Sequence, residues 1–356
     1  MTTILVTGGA GFIGSAIVEA ALARKWRVRV IDSLREDVHG PDAGRAARDP
    51  LIDFIHADVR DTVALADALF GVDVVCHQAA KVGLGVSFAD APDYVASNDL
   101  GTAILLAAME QAAVNRLVIA SSMVVYGEGN YRDSRGIPTR PQPRAIDDLE
   151  AGNFDPRGDD GELLKPELIT EDAPLDPRNV YAISKLTQEY LAASWARSTG
   201  GTAIALRYHN VYGPGMPQNT PYAGVASLFR SCLERGEAPR LFEDGGQRRD
   251  FVNVRDVASA NIAAIDATAT SAERGFRPFN VGSGAVHTIG DLASALCQHF
   301  GGAAPIVTGE YRLGDVRHIT ASSARLMSEL GWLPAISFDE GMREFATAPL
   351  RAAVIH

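Results

Sequence analysis

The sequence predicts an α/β fold: a doubly wound parallel sheet with helices on both faces and a smaller C-terminal lobe. Three observations carry this. Short apolar runs alternate with longer amphipathic stretches from the N-terminus through Asn210, which is the pattern of parallel strands joined by crossover helices. The first run leads straight into a glycine-rich turn. Beyond Asn210 the rhythm breaks into Gly/Pro-rich and short-strand segments, as expected of a second lobe.

In chain order the predicted strands are ILVT (4–7), VRVID (28–32), DFIHAD (53–58), VDVVCHQAA (72–80), RLVIASS (116–122) and TAIALRYHN (202–210). The stretches SAIVEAALARK and NDLGTAILLAAMEQAA between them carry apolar residues at helical spacing. After VYGPGMPQNTP a helix is expected near 221–235, then short strands at PRLFED and RDFVNV. VNVRDVASANIAAIDA and FNVGS read as elements returning to the first lobe, so the division is discontinuous: 1–207 plus 252–281, and 208–251 plus 282–350. Residues 129–175 are polar and rich in Pro, Gly, Asp and Arg. A loop of that length is uncommon in a compact domain, so it reads either as a surface insertion folding over the site or as an excursion with no catalytic part.

Composition narrows the function. With 356 residues, 46% hydrophobic and 22% charged, the chain has the apolar content of a large globular core. A formal charge of −11 with no Lys/Arg run argues against a nucleic-acid partner. Cys76, Cys232 and Cys297 lie far apart, indicating neither a disulfide framework nor a zinc site, and no metal site is expected. No secretory signal fits the N-terminus and no apolar stretch approaches a membrane span, so a cytoplasmic protein without a membrane partner is expected.

The turn TGGAGFIGSA places Gly8, Gly11 and Gly14 between the first strand and its helix. Glycines there let the backbone approach a pyrophosphate, and the helix N-terminus presents free N–H groups to it. The second strand ends at Asp32, where a carboxylate accepts from an adenosine ribose and repels a 2′-phosphate, which favours NAD over NADP; Arg35 close by is the feature that opposes this. Asp58, with Val59 beside it, ends the third strand and is a candidate for the adenine edge. Downstream, Tyr181 and Lys185 of VYAISK stand one helical turn apart, and Ser122 closes the fifth strand.

Together TGGAGFIG, HQAA (77–80), SSMVVYG, YAISK, LRYHNVYGPG, RRDFVNVRDVA, FNVGSG and RLGD, in that order, make the chain resemble the extended short-chain dehydrogenase/reductases, the NAD-dependent nucleotide-sugar epimerases and dehydratases. The resemblance implies NAD as cofactor, with Phe12, Ile13, Gln78, Ala79 and Ala80 joining the cofactor contacts along with Tyr181 and Lys185. It implies Tyr181 as catalytic base and acid, Lys185 as its electrostatic partner, and Ser122 as the hydroxyl shared with the sugar's reacting oxygen. Lowering a phenol from its ordinary pKa by about three units takes roughly 4 kcal/mol of phenolate stabilisation, which Lys185 and the nicotinamide charge are expected to supply.

Similar enzymes that dehydrate a 4-keto sugar carry an Asp-Glu pair directly after the catalytic hydroxyl. Here those positions are Met123 and Val124, neither of which exchanges a proton, so 4,6-dehydration is not expected. In the substrate lobe the resemblance implies that Asn210, Arg249, Arg312 and Asp315 hold a nucleoside diphosphate. Lys81 and Ser87, in the loop KVGLGVS, and Met123 are further substrate candidates, and Asn98 is expected to touch the cofactor or that loop. His209 stands where many relatives have Phe, and Ile319 where related 4-epimerases gate bulky sugar substituents, so larger substrates are expected. The long insertion is most similar to the dTDP-L-rhamnose 4-epimerase subgroup, although it lacks the paired cysteines often found there.

The expected activity is 4-epimerisation of a dTDP- or UDP-hexose through a transient 4-keto sugar, with a homodimer packed through helices around 98–113 and 181–199. An NDP-4-keto-hexose reductase is the alternative within the class. A silent nucleotide sensor is a third reading, opposed by the presence of all three reacting residues.

Overall fold

The computed structural model describes residues 1–39, 49–83, 88–218, 224–270 and 274–351. Seven parallel strands form the central sheet: β1 (Thr3–Thr7), β2 (Arg27–Asp32), β3 (Ile52–His56), β4 (Val74–His77), β5 (Arg116–Ser122), β6 (Thr202–Tyr208) and β7 (Gly275–Val281). Their spatial order is β7-β6-β5-β4-β1-β2-β3. The chain therefore builds outward from β1 to one edge and then crosses back to β4, which leaves a crevice at the strands' carboxyl ends. The four residues of β4 are all buried, whereas edge strand β3 is only partly covered. Continuous apolar runs belong in strands covered on both faces.

Helices α1 (Phe12–Ala23) and α4 (Val254–Thr270) pack on one face, where Ile17, Val18, Ile262 and Ile265 meet Ile4, Val118 and Leu206. On the other face α2 (Gly101–Gln111) and α3 (Val180–Thr199) bring Leu105, Met109 and Trp195 against Leu5, Val75 and Leu117. α3 starts at Asn179, whose side chain accepts from the Ala182 N–H, and stops at left-handed Gly200. Immediately before α2, residues Val95–Leu100 form a π-helical turn.

TAIALRYHN does not run as one strand. β6 ends at Tyr208, and Asn210–Tyr212 pairs separately with Phe251–Asn253. The second lobe is built around its own core, with Tyr212, Phe229, Leu292, Leu296, Met342 and Phe345 buried together. The expected helix near 221–235 spans Val225–Glu234.

The insertion is ordered. Pro138–Thr139, Asn130–Arg132 and Lys165–Glu167 form a three-stranded antiparallel sheet, and Ile146–Glu150 a short helix. Tyr131, Leu149, Phe154, Leu164 and Ile169 are buried, which gives this polar segment enough apolar surface to fold.

Candidate active site

At the carboxyl end of β1 the chain turns through Gly8, whose φ of +68° disfavours any side chain; a Cβ there would also lie 2.7 Å from the Ala79 backbone nitrogen. Gly11 caps α1 without a side-chain hydrogen bond, and no acidic residue occupies the first turn. The leading N–H groups of α1, those of Phe12 and Ile13 with Gly14 behind them, are thus left to bind an anionic ligand. The Phe12 ring itself packs against the second-lobe core.

Asp32 braces this turn. Its Oδ2 accepts the Ala10 N–H at 3.0 Å, its Oδ1 the Leu34 N–H at 2.9 Å, and His39 Nε2 lies 3.3 Å from Oδ1. Burial pushes the carboxyl up, but His39 and the two backbone donors outweigh it and hold the group below its ordinary value. Arg35 turns away and forks onto Asp93, with Nη1–Oδ1 at 3.1 Å and Nη2–Oδ2 at 3.0 Å. The uncapped helix, the glycine cradle and the ionised Asp32 fit a nicotinamide dinucleotide lacking a 2′-phosphate.

Other expected cofactor contacts carry partners within the chain. Asp58 pairs with Arg60 at 2.7 Å. Val59 is buried. Gln78 accepts from the Tyr208 hydroxyl at 3.1 Å, Ala79 donates its N–H to Thr7 Oγ1 at 3.2 Å, and Ala80 follows, half-buried, in the same loop.

Ser122 ends β5 and caps a 3₁₀ turn over Met123–Tyr126. Its hydroxyl neighbours the Tyr181 phenol. Burial pushes that phenol up to about 12, and the Ser122 hydroxyl opposes the rise. Lys185, one turn further along α3, is buried and donates from Nζ to the Ala120 carbonyl at 3.0 Å; burial pulls it down to about 8, with Glu189 and Asp99 opposing. The Lys185 ammonium is thus bonded to the backbone of β5 one helical turn from Tyr181.

Several groups around this set were not anticipated. Glu189, two percent exposed, receives the Ser121 hydroxyl at 2.5 Å and Arg207 through Nε at 2.9 Å and Nη2 at 2.7 Å. His77 bridges Thr7 Oγ1 at 2.7 Å and Thr102 Oγ1 at 2.9 Å, and burial and then the Lys185 charge lower it to about 3, keeping it neutral. Tyr94 sets its ring 6.1 Å from that of Tyr181 and donates to the Gly83 carbonyl at 2.9 Å. A buried ion pair and a neutral buried histidine have no local sequence signature; each is recognisable only once the strands are adjacent.

Asn98 is buried and fully bonded: its Oδ1 accepts the Lys81 N–H at 2.7 Å, and its Nδ2 donates to the Lys81 carbonyl at 3.0 Å and to Ser184 Oγ at 2.8 Å. It ties the loop after β4 to α3, beside Tyr181. The Lys81 ammonium lies 2.6 Å from Asp93, and Ser87 falls outside the described residues.

In the second lobe, Asn210 Oδ1 and both ring nitrogens of His209 are buried without a hydrogen-bond partner among the described residues, the kind of unsatisfied group that a ligand completes. Arg249 donates to the carbonyls of Val316 at 2.6 Å and Arg317 at 3.0 Å. Arg312 is exposed and stacks over Phe242 at 4.8 Å. The half-buried Asp315 carboxyl is raised by burial, with Arg312 the leading opposing charge. Met123 and Ile319 join one apolar cluster with Val125 and Leu186. Among the described residues no group of three His, Cys, Asp or Glu is placed to hold a metal ion, and no helix is long and apolar enough to cross a membrane.

A parallel sheet with a dinucleotide cradle at its switch point and a Ser-Tyr-Lys set beside it defines an enzyme of the short-chain dehydrogenase/reductase type. The model of the NAD dependent epimerase/dehydratase family matches residues 4–146 and 156–282, and the chain belongs to that family. It is 36% identical to a dTDP-L-rhamnose 4-epimerase of Burkholderia thailandensis over 97% of this chain and 94% of that protein. A putative UDP-glucose 4-epimerase of Methanocaldococcus jannaschii is 31% identical, covering 96% of each chain. Among solved structures, the UDP-glucose 4-epimerase of Thermus thermophilus in complex with NAD superimposes with a TM-score of 0.76 at 32% identity, covering 97% of this chain and 98% of that one.

Proposed function

We propose that this protein is an NAD-dependent nucleotide-sugar 4-epimerase that carries a dTDP- or UDP-hexose through a transient 4-keto sugar. The observation that supports the reading is the placement of Ser122 at the end of β5 beside Tyr181, followed by Met123 and Val124 where a dehydrating enzyme needs acidic groups. NAD, when bound, would supply reversible hydride transfer and a positive charge that favours the phenolate. Tyr181 takes the proton of the C4 hydroxyl and gives it back after the ketone has turned over; Ser122 holds the same oxygen. Lys185 keeps the Tyr181 face of α3 docked on β5 through Ala120 and adds charge nearby. A positioned base of this kind contributes on the order of 10² to 10⁴ in rate.

The lobe of 208–251 plus 282–350 is read as gripping the nucleoside diphosphate through Asn210, Arg249, Arg312 and Asp315, while 1–207 plus 252–281 holds the dinucleotide. Binding energy placed at the nucleotide end lets the hexose rotate without dissociating. Incubating the NAD-loaded protein with dTDP-L-rhamnose and UDP-glucose and following the C4 proton by NMR tests the reading. Inversion at C4 without net NADH consumption is expected. Stoichiometric consumption of NAD(P)H with a 4-keto sugar would assign a reductase instead, and no reaction with any dTDP- or UDP-hexose would overturn both.

We further read the protein as a cytoplasmic homodimer. Val95 and Leu100 before α2 and Ile183 and Tyr190 on α3 are about half exposed on the helices expected to pair, and light scattering should report twice the 37.8 kDa chain mass.

A further inference from the structure

The 129–175 insertion reaches the nucleotide end of the site through one arginine. Arg144 lies between the strand Pro138–Thr139 and the helix Ile146–Glu150, and its side chain is nearly buried. Its Nη1 donates to Glu243 Oε1 at 2.7 Å and to the Phe154 carbonyl at 3.3 Å, and its Nη2 to the Asp315 carbonyl at 2.8 Å. The second Glu243 oxygen receives Arg317 Nη1 at 2.8 Å, while Arg317 also forks onto Asp244 and reaches Asp155 at 2.7 Å. One buried carboxylate is thus shared between an arginine of the insertion and an arginine of the second lobe.

Glu243 is not a relaxed residue. Its φ of +55° is left-handed, a conformation that non-glycine residues rarely adopt. It persists because its surroundings fix it from several sides: the two arginines hold the carboxylate, and its N–H donates to the Glu310 carbonyl at 2.7 Å. The segment from Glu310 to Arg317 is therefore held at Glu310 by Glu243, at Asp315 by Arg144 and at Arg317 by Glu243 again. That segment carries Arg312, which stacks on Phe242 beside Glu243, and Asp315.

We infer that Arg144 is a positioning residue for nucleotide recognition: by bridging Glu243 and the Asp315 backbone, the insertion fixes the loop that presents Arg312 and Asp315 to the nucleoside diphosphate. This rests on the nucleotide-sugar reading above. Pre-organising a binding loop strengthens affinity without touching the chemical step, so Arg144 acts on KM and not on kcat.

The test compares wild-type holoenzyme with Arg144→Ala, Arg144→Lys and Arg132→Ala. Arg132 sits in the same insertion but pairs with Glu167 on its surface, so it reports on the insertion's stability alone. Calorimetric titration with dTDP and with UDP, bound-NAD content, and kcat and KM are measured for each. Loss of the three bonds donated by the guanidinium, two of which bridge Glu243 and the Asp315 carbonyl, should weaken nucleoside diphosphate binding and raise KM by about tenfold in Arg144→Ala, with kcat within about twofold and NAD content unchanged. Arg144→Lys, which reaches one partner but not both, should fall between, and Arg132→Ala should match wild type. A Kd for Arg144→Ala within about twofold of wild type, or equal weakening in Arg132→Ala, would overturn the role of Arg144. If Arg144→Ala does not fold, an unchanged Kd in Arg144→Lys overturns it equally. Wild-type protein that binds neither dTDP nor UDP overturns the nucleotide-sugar reading itself, a failure visible before any variant is compared.

Discussion

Glu189→Gln tests how much the buried carboxylate behind the site contributes. In the native structure Glu189 takes two bonds from Arg207 and one from Ser121, with both charged side chains three percent exposed or less. Burial works against the Arg207 charge, and Glu189 more than offsets it, raising the guanidinium. The amide keeps the shape but leaves a buried cation without its counter-charge, and turns an N–H₂ toward Arg207 or Ser121. Breaking a buried pair in this way costs about 3–5 kcal/mol, of which the isosteric change should show roughly the lower figure. At about 2.1 cal/mol/K per residue, unfolding 356 residues has an entropy of about 0.75 kcal/mol/K. A 3 kcal/mol loss is then a fall of about 4 °C in Tm, measurable by differential scanning calorimetry of the NAD-loaded protein. Replacing the pair together, with Glu189→Leu and Arg207→Met, should recover part of the loss. A Tm for Glu189→Gln within about 1 °C of wild type would refute the view that this pair is a buried charge in balance.

The same substitution has a second readout: Glu189 helps keep Lys185 from falling below about 8, so without it the limb on which activity falls with rising pH should move to lower pH. Tyr181→Phe should cut turnover by about 10² to 10⁴ while NAD released on denaturation, measured by absorbance, stays stoichiometric. Gly8→Ala places a Cβ against the Ala79 backbone at φ +68° and should both lower Tm and empty the dinucleotide site, read as loss of co-purified NAD. Asp32 is held below its ordinary value, so its stabilisation is present above about pH 4 and lost as pH falls through the folded value. Asp32→Asn should accordingly melt earlier than wild type at pH 7, with the gap closing in melts taken below pH 4.

The sheet was legible because its strands are uniform apolar runs. RLVIASS begins and ends where β5 does, and VRVID is one residue short of β2. TAIALRYHN misled at its end, since nothing in its periodicity marks the break at His209; the break comes from Asp250, whose carbonyl takes the Asn210 N–H at 2.9 Å and starts a new pairing. In the insertion, Tyr131 is a lone apolar residue between Asn130 and Arg132, and its strand is held because Glu128 accepts the Tyr131 hydroxyl and the Arg317 and His318 N–H groups while Gly129 donates to the His318 carbonyl. Glu189 reads in sequence as a solvated helical position; only the alignment of Arg207 on β6 with Ser121 on β5 reveals its burial. That Ser122 and Tyr181 are neighbours could be anticipated from motif order. The engagement of Lys185 with Ala120, and of Lys81 with Asp93, depends on side-chain reach that spacing does not encode.

The strand order bears on synthesis as well as on binding. β6 is buried almost throughout and lies between β5 and β7, yet β7 leaves the ribosome only after the whole Asn210–Thr270 stretch. Until then the nascent sheet ends in the bare, strongly apolar flank of Thr202–Tyr208, an edge able to recruit any extended chain nearby. Pausing or truncation within that interval should therefore favour aggregation over a half-built but soluble intermediate, and chaperone demand should peak before Val281 emerges.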